Sequence, residues 1–386
     1  MTSPSAPSSL IDMALFSGAP QHENFCRLQD FTPGHRINPS ATPKPWPVGP
    51  AMVLPSVFTF EGQERSTEEF LSSTDTAAVL VLVDGHIRHE RYMLTGGPSV
   101  QWLSMSVGKS FVSALVGIAD EEGHISSIDD PISDYVPVNP GSAYDGVSIK
   151  DVLQMSSGAR WNEDYADPDS DIVKLLMATS GAEGGLDGFV AQMSRESSPR
   201  QVCRYNSGET QILGALVARA TGRQLTGYFQ EKLADPLGFE TPGHWISDLQ
   251  GTEMSYGGLN LSARDFARLG ELYRLGGRWD GQQIISEDWI KASTTAEAAI
   301  HQPGMPLVGG HSFDLGYGYQ WWLPAGTRGE FSAIGVYNQF VYVDPISKTT
   351  IVKLSANRAY GTSTEEATNR DNETIEFLRA VSRVNG

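Results

Sequence analysis

Gln101-Trp102-Leu103-Ser104-Met105-Ser106-Val107-Gly108-Lys109-Ser110-Phe111 is the stretch on which the reading of this chain turns. It opens as an apolar approach and becomes a helical run, with Phe111, Leu115, Ile118 and Ala119 three or four residues apart. Ser106 stands at the start of the run and Lys109 three residues on, so hydroxyl and amine share one helix face. A serine becomes a useful nucleophile when a neighbour takes its proton. A lysine can do so once desolvation or nearby positive charge brings its pKa toward neutrality. The run from Met105 to Ala119 carries no other ionised residue, and the free N–H groups of a helix N-terminus favour a forming alkoxide. Ser-x-x-Lys by itself also occurs by chance on wet helices. The apolar surroundings separate this one from those.

The chain has 386 residues, enough for one large domain or two interleaved ones. With 28 Lys and Arg against 46 Asp and Glu, its formal charge is -18, which disfavours nucleic acid and anionic membrane surfaces as partners. Cys26 and Cys203 are too few for a disulfide framework and read as free thiols. No stretch reaches 18 consecutive apolar residues, and the Ser/Pro-rich start has no secretory pattern, so the expected location is the cytoplasm. The eight histidines form no H-x-x-x-H or similar cluster, and neither a metal nor another cofactor is expected.

Residues 1–60 read as an irregular arm that wraps the core, stiffened by Pro43, Pro45, Pro47, Pro50 and Pro55. Thr76–Val83, Asp84-Gly85 and His86–Tyr92 predict a hairpin whose first strand is central. The serine helix ends near Gly123. Ser148 caps a short helix, and the loop Trp161–Pro168 sets two aromatics among three acids. Helices are predicted over 172–177, 188–193, 209–222 and 225–234, and again from the Ser262 cap to Leu275. Three strands follow, 317–322, 331–343 and 349–354, and then a closing helix over 365–381. The fold class is therefore α/β: an antiparallel sheet completed by both chain ends and flanked by helices, with a large mostly helical insertion. The expected division is 61–145 with 255–386 for the sheet part and 146–254 for the helical part.

Two further pieces carry chemistry. Tyr205-Asn206-Ser207 precedes a helix, and a nearby cationic lysine holding the Tyr205 pKa below about 10 would make its phenol a proton relay. Asn206 and Ser207 read equally as the polar cap of that helix. Gly335, inside a predicted strand, points either to close backbone approach or to a bulge. In the first case an inward-turned edge strand presents the Val336 N–H opposite that of Ser106, forming an oxyanion hole.

Taken in this order, Ser106-x-x-Lys109, Tyr205-Asn206-Ser207 and the Gly335 strand resemble the serine hydrolases of the class C β-lactamase and penicillin-binding-protein superfamily. Asn162-Glu163-Asp164-Tyr165, Gln320-Trp321-Trp322 and Gly335 to Gln339 are more similar still to the 6-aminohexanoate-dimer (nylon oligomer) hydrolases and related carboxylesterases. The resemblance covers roughly residues 75 to 385. It implies a β-lactamase/transpeptidase-like fold with Ser106 as nucleophile, Lys109 as base and Tyr205 assisting the leaving group. It also implies Ser106 and Val336 as oxyanion donors, and Tyr165, Trp321, Trp322 and Gly335 facing substrate. Where β-lactamases have Lys-Thr-Gly this chain has Ala333-Ile334-Gly335, and it has Tyr-Asn-Ser in place of Tyr-Ser/Ala-Asn.

The expected activity is hydrolysis of a small-molecule carboxylic ester or linear, non-peptide amide, such as a 6-aminohexanoate oligomer, through an acyl-serine. β-Lactamase or D-alanyl-D-alanine carboxypeptidase activity is the alternative, and an inactive binding or structural homologue the non-enzymatic one. The acids Glu163, Asp164 and Asp167 are candidates for drawing a substrate amine. A homodimer is compatible with the sequence.

Overall fold

The computed structural model describes residues 7–307 and 315–385. Its central feature is a seven-stranded antiparallel sheet in the order Leu315–Tyr317, Trp322–Pro324, Phe331–Gly335, Gln339–Asp344, Thr349–Ser355, Thr76–Val83, His86–Tyr92. The two ends of the chain meet where Thr349–Ser355 pairs with Thr76–Val83, from Thr349 opposite Val83 to Ser355 opposite Thr76. Thr76–Val83 is nearly continuous apolar sequence because both of its faces are covered. Leu80 and Leu82 join the core shared with the helix Ala263–Arg274, while Val79 and Val81 face Ile375, Phe377 and Leu378 of the closing helix Asp371–Ser382. The α/β class, with an antiparallel sheet flanked by helices, is thus the observed fold.

Three expectations about elements are corrected. Residues 331–343 are two strands rather than one, reversing at Val336-Tyr337-Asn338, where Tyr337 and Asn338 both have φ +64°. Asn tolerates this left-handed conformation better than most residues, so a turn forms there without glycine. Phe331–Gly335 is consequently an interior strand, not an edge. Residues 317–322 also hold a reversal, with Gln320 at φ +61° and its side chain bonded to Thr210 and to the Leu153 carbonyl. The arm, expected to be irregular, contributes the strand Gly34–Ile37, which pairs with Gly243–Ile246, and the strand Val57–Phe60, which pairs with Gln63–Ser66. No helix among the described residues is long and apolar enough to cross a membrane.

Local signals placed the helix that backs the sheet. Ser262 Oγ accepts from Asp265 N at 3.2 Å, and the Asp265 carboxylate accepts from Ser262 Oγ, from Thr241 N and Oγ1, from Glu240 N and from Arg268 Nε. Arg268 is fully buried and shares its charge between two carboxylates, the fully buried Asp265 and Glu240 at 2.9 Å. Asp265→Ala is expected to destabilise the protein by about 2–4 kcal/mol, because it leaves Arg268 with Glu240 alone and orphans the donors of Ser262, Thr241 and Glu240. A urea-denaturation midpoint equal to that of the parent protein would contradict this.

Candidate active site

Ser106 is held between a small sheet and the helix Gly108–Glu121. Trp102 and Leu103 pair with Leu261 and Asn260, and Ser104 N donates to Leu259 O at 2.7 Å. Met105 then turns the chain with φ +45°, a conformation that costs a non-glycine residue on the order of 1–3 kcal/mol. One 3-10 turn, Met105–Val107, feeds the helix and leaves Ser106 at its mouth.

Lys109 Nζ stands 3.2 Å from Ser106 Oγ, 3.0 Å from Ser207 Oγ and 2.8 Å from the Tyr256 carbonyl oxygen. The lysine is buried, and that burial brings its pKa down to about 7, opposed only in part by the negative charge of Glu163. The neighbours also orient the amine. The Tyr256 carbonyl can only accept, and the Ser207 hydroxyl spends its proton on Glu163 Oε1 at 2.6 Å, so both take hydrogens from Nζ. A neutral amine has two hydrogens, and its remaining position, the lone pair, faces Ser106 Oγ. Charge, geometry and hydrogen count thus agree on an acceptor for the serine proton.

Glu163 anchors this arrangement. Only 2% exposed, its carboxylate accepts from Ser207 Oγ, from Ser207 N at 3.1 Å, from Tyr165 Oη at 2.9 Å and from Trp161 Nε1. Of the loop's acids, Glu163 is therefore turned inward, while Asp164 and Asp167 are half-buried. Asp164 accepts from Ala166 N, and Asp167 from Asn162 Nδ2 and Asp169 N. The expectation that these acids draw a substrate amine is corrected, since none of the three borders the cavity beside Ser106.

Tyr205 is buried, its phenol hydrogen-bonded to the Ser106 side chain and its ring centroid 5.3 Å from Lys109 Nζ. Burial, with the Glu163 charge added, pushes its pKa well above the ordinary value of 10.0. The lowering by a cationic Lys109, on which the sequence reading made the relay conditional, is not what burial and Glu163 produce here. Tyr205 is a neutral phenol, able to donate a proton. The motif also divides its duties: Asn206 caps the helix Ser207–Thr221, accepting from Gly208 N at 2.8 Å, while Ser207 belongs to the lysine's surroundings.

Gly335 is required for close approach. A Cβ there would lie 2.7 Å from Ser104 O and 2.9 Å from Ser106 N. The absent side chain lets the Val336 turn sit against the start of the serine helix. That turn is pinned from behind: Asn338 Nδ2 donates to Asn369 O at 2.7 Å and to Asp371 Oδ1 at 3.1 Å, and Asn357 Nδ2 donates to Asn338 Oδ1 at 2.9 Å. Neither Glu163's role nor this polar brace was recognisable beforehand; the only signals were an acid between two aromatics and an Asn beside the glycine strand.

Two cavities meet at Ser106 and Val336. One of about 240 Å³ also borders Met105, Tyr165 and Tyr256. The other, about 10 Å³, borders Tyr205, Trp322, Gly335 and Tyr360. Tyr165, Trp322 and Gly335 are thus beside the site as expected. Trp321 is not: the reversal at Gln320 sends it to the opposite face, where it is fully buried 4.6 Å from the Tyr273 ring and 5.2 Å from Phe331.

Sequence and fold comparisons place the chain in a known family. Residues 65–374 match the Beta-lactamase family, and the chain belongs to it. It is 31% identical over 299 residues to a 6-aminohexanoate-dimer hydrolase of Paenarthrobacter ureafaciens, covering 75% of this chain and 74% of that one. In fold it is similar to a Bacillus anthracis protein provisionally named a 6-aminohexanoate-dimer hydrolase, at 22% identity with TM-score 0.80 over 92% of both chains. It is also similar in fold to EstCE1, a hydrolase with promiscuous acyltransferase activity, at 15% identity with TM-score 0.61, covering 82% of this chain and 96% of that one.

Gly335→Ala is expected to slow fluorophosphonate labelling of Ser106 about 10²-fold or more, the scale of a lost oxyanion contact, as the Val336 turn is pushed away. An unchanged labelling rate in a folded variant would contradict the close-approach role.

Proposed function

We propose that this protein hydrolyses a small carboxylic ester or linear amide through an acyl-Ser106 intermediate. The observation that carries this reading is the buried Lys109 Nζ, 3.2 Å from Ser106 Oγ and fastened by Ser207 Oγ and the Tyr256 carbonyl, so that the neutral amine turns its lone pair to Ser106 Oγ. Ser106 Oγ attacks the carbonyl carbon as its proton passes to Lys109 Nζ. The oxyanion is held by the Ser106 and Val336 N–H groups. The leaving oxygen or nitrogen takes the Tyr205 phenol proton as its bond to carbon breaks, and the lysine's proton restores the phenol. Water then attacks the acyl-enzyme, releasing the carboxylic acid and the free serine. The relative named 6-aminohexanoate-dimer hydrolase supports a linear amide as one candidate class of substrate. Ala333 is buried and supplies no cation for a β-lactam carboxylate, which favours open-chain substrates.

The direct test is fluorophosphonate labelling followed by peptide mapping, with Ser106 the expected site; labelling elsewhere, or full activity in Ser106→Ala, would overturn the mechanism. Because the neutral lysine is the active form, kcat/KM for an ester is expected to rise with pH and reach half its plateau at about 7. A profile flat from pH 5 to about 9 would contradict a lysine base. Tyr205→Phe is expected to slow anilide hydrolysis about tenfold more than 4-nitrophenyl ester hydrolysis, since only the amine needs a proton to leave. Equal losses would count against the relay.

A further inference from the structure

The larger cavity beside Ser106 is walled on one side by a segment far from the catalytic motifs in sequence. Leu10, Ile11, Ala14, Leu15 and Phe16 of the N-terminal arm all border it. The arm is fastened there. Leu10 and Met13 are buried, and Gln21 Nε2 donates to Met13 O at 2.8 Å. Phe16 stacks on Tyr165 at 4.1 Å and on Tyr337 at 4.9 Å, and Phe16 N donates to Tyr337 Oη at 2.7 Å. Tyr337 sits in the turn that carries Val336, so the arm leans on the oxyanion turn itself. The opposite wall is formed by Ile172, Val173, Leu176, Met177, Ile246 and Met254. Among the described residues, no Asp, Glu, Lys or Arg lines the cavity; its polar side chains there are Ser106, Tyr165, committed to Glu163, and Tyr256, whose buried hydroxyl has no partner among the described residues.

The position of Tyr205 assigns the two cavities. Tyr205 borders the small one and not the large one, so the leaving atom that takes its proton lies on the small side, which at about 10 Å³ has room for little more than that atom. The acyl group then occupies the large cavity. We infer that the N-terminal arm is a specificity-determining wall of the acyl site, which makes this a site for an uncharged, apolar acyl chain rather than an ω-aminoacyl chain. The inference rests on Ser106 being the acylated residue. Its physical basis is the balance between burial and desolvation. Each methylene moved from water into the cavity gains up to about fourfold in binding, whereas an ammonium at the chain's end meets no counter-charge there.

The test compares kcat/KM for 4-nitrophenyl acetate, hexanoate and 6-aminohexanoate on the full chain, with Ser106 labelling measured alongside. Hexanoate is expected to exceed acetate by about tenfold or more, and 6-aminohexanoate to fall about 30-fold or more below hexanoate. Phe16→Ala should flatten the hexanoate-to-acetate ratio. Leu15→Asp should raise the 6-aminohexanoate-to-hexanoate ratio about tenfold or more by supplying the missing counter-charge, a gain that misfolding cannot imitate. With Ser106 labelled normally, equal rates for acetate and hexanoate, a preference for 6-aminohexanoate, or a ratio unmoved by Leu15→Asp would overturn the acyl-site assignment while leaving the acyl-serine mechanism standing. Absence of label at Ser106 would remove both.

Discussion

Desolvation of the Lys109 amine is the constraint to which the rest of the site answers. Lowering an amine's pKa from 10.5 to about 7 corresponds to roughly 5 kcal/mol set against the ammonium. That penalty must be matched by a structure able to hold a buried, neutral, polar group without orphaning it. The Tyr256 carbonyl and the Ser207 hydroxyl do so, and Ser207 can serve only because Glu163 takes its proton. Glu163 is in turn surrounded by donors from Trp161, Tyr165 and the Ser207 backbone. The carboxylate both orients the network and limits the fall in the lysine's pKa. A base near neutrality results, where a wholly apolar pocket would depress it further.

The fold delivers these groups from distant parts of the chain. The central pairing of the two chain ends fixes the sheet, and the sheet fixes the Val336 turn against the start of the serine helix. Gly335 allows that contact, while Asn338, Asn357 and Asp371 hold a turn in which two non-glycine residues adopt left-handed conformations. Asp371 is buried and also accepts from Tyr360 Oη at 2.7 Å, tying the closing helix to the same brace. The arm completes the enclosure through Phe16.

Much of this was legible in the sequence, for identifiable reasons. The Thr76–Tyr92 hairpin, the caps at Ser148 and Ser262 and the serine helix announce themselves by local periodicity and hydrogen-bonding residues, which act over a few positions. The pairing of Ser106 with Lys109 is likewise local. The reversals at Gln320 and at Tyr337-Asn338 were not legible, because their turns are stabilised by partners more than thirty or a hundred residues away rather than by glycine or proline at the turn centre. Trp321 was misplaced for that reason: one missed reversal sends a side chain to the other face. Glu163 was misread because an acid in a loop looks solvated until its donors are assembled. The arm's part in the cavity depends wholly on tertiary packing. The pKa of Tyr205 lies above its ordinary value because burial and the Glu163 charge raise it, which no local signal in the sequence announces.

The central claim is that the Lys109 amine titrates near neutrality, and NMR titration of its side chain, assigned by comparison with Lys109→Arg, measures this directly. The account predicts an amine titrating at about 7. An amine that stays protonated to about pH 9 or above would contradict it, since such a group would not serve as the base for Ser106 at neutral pH.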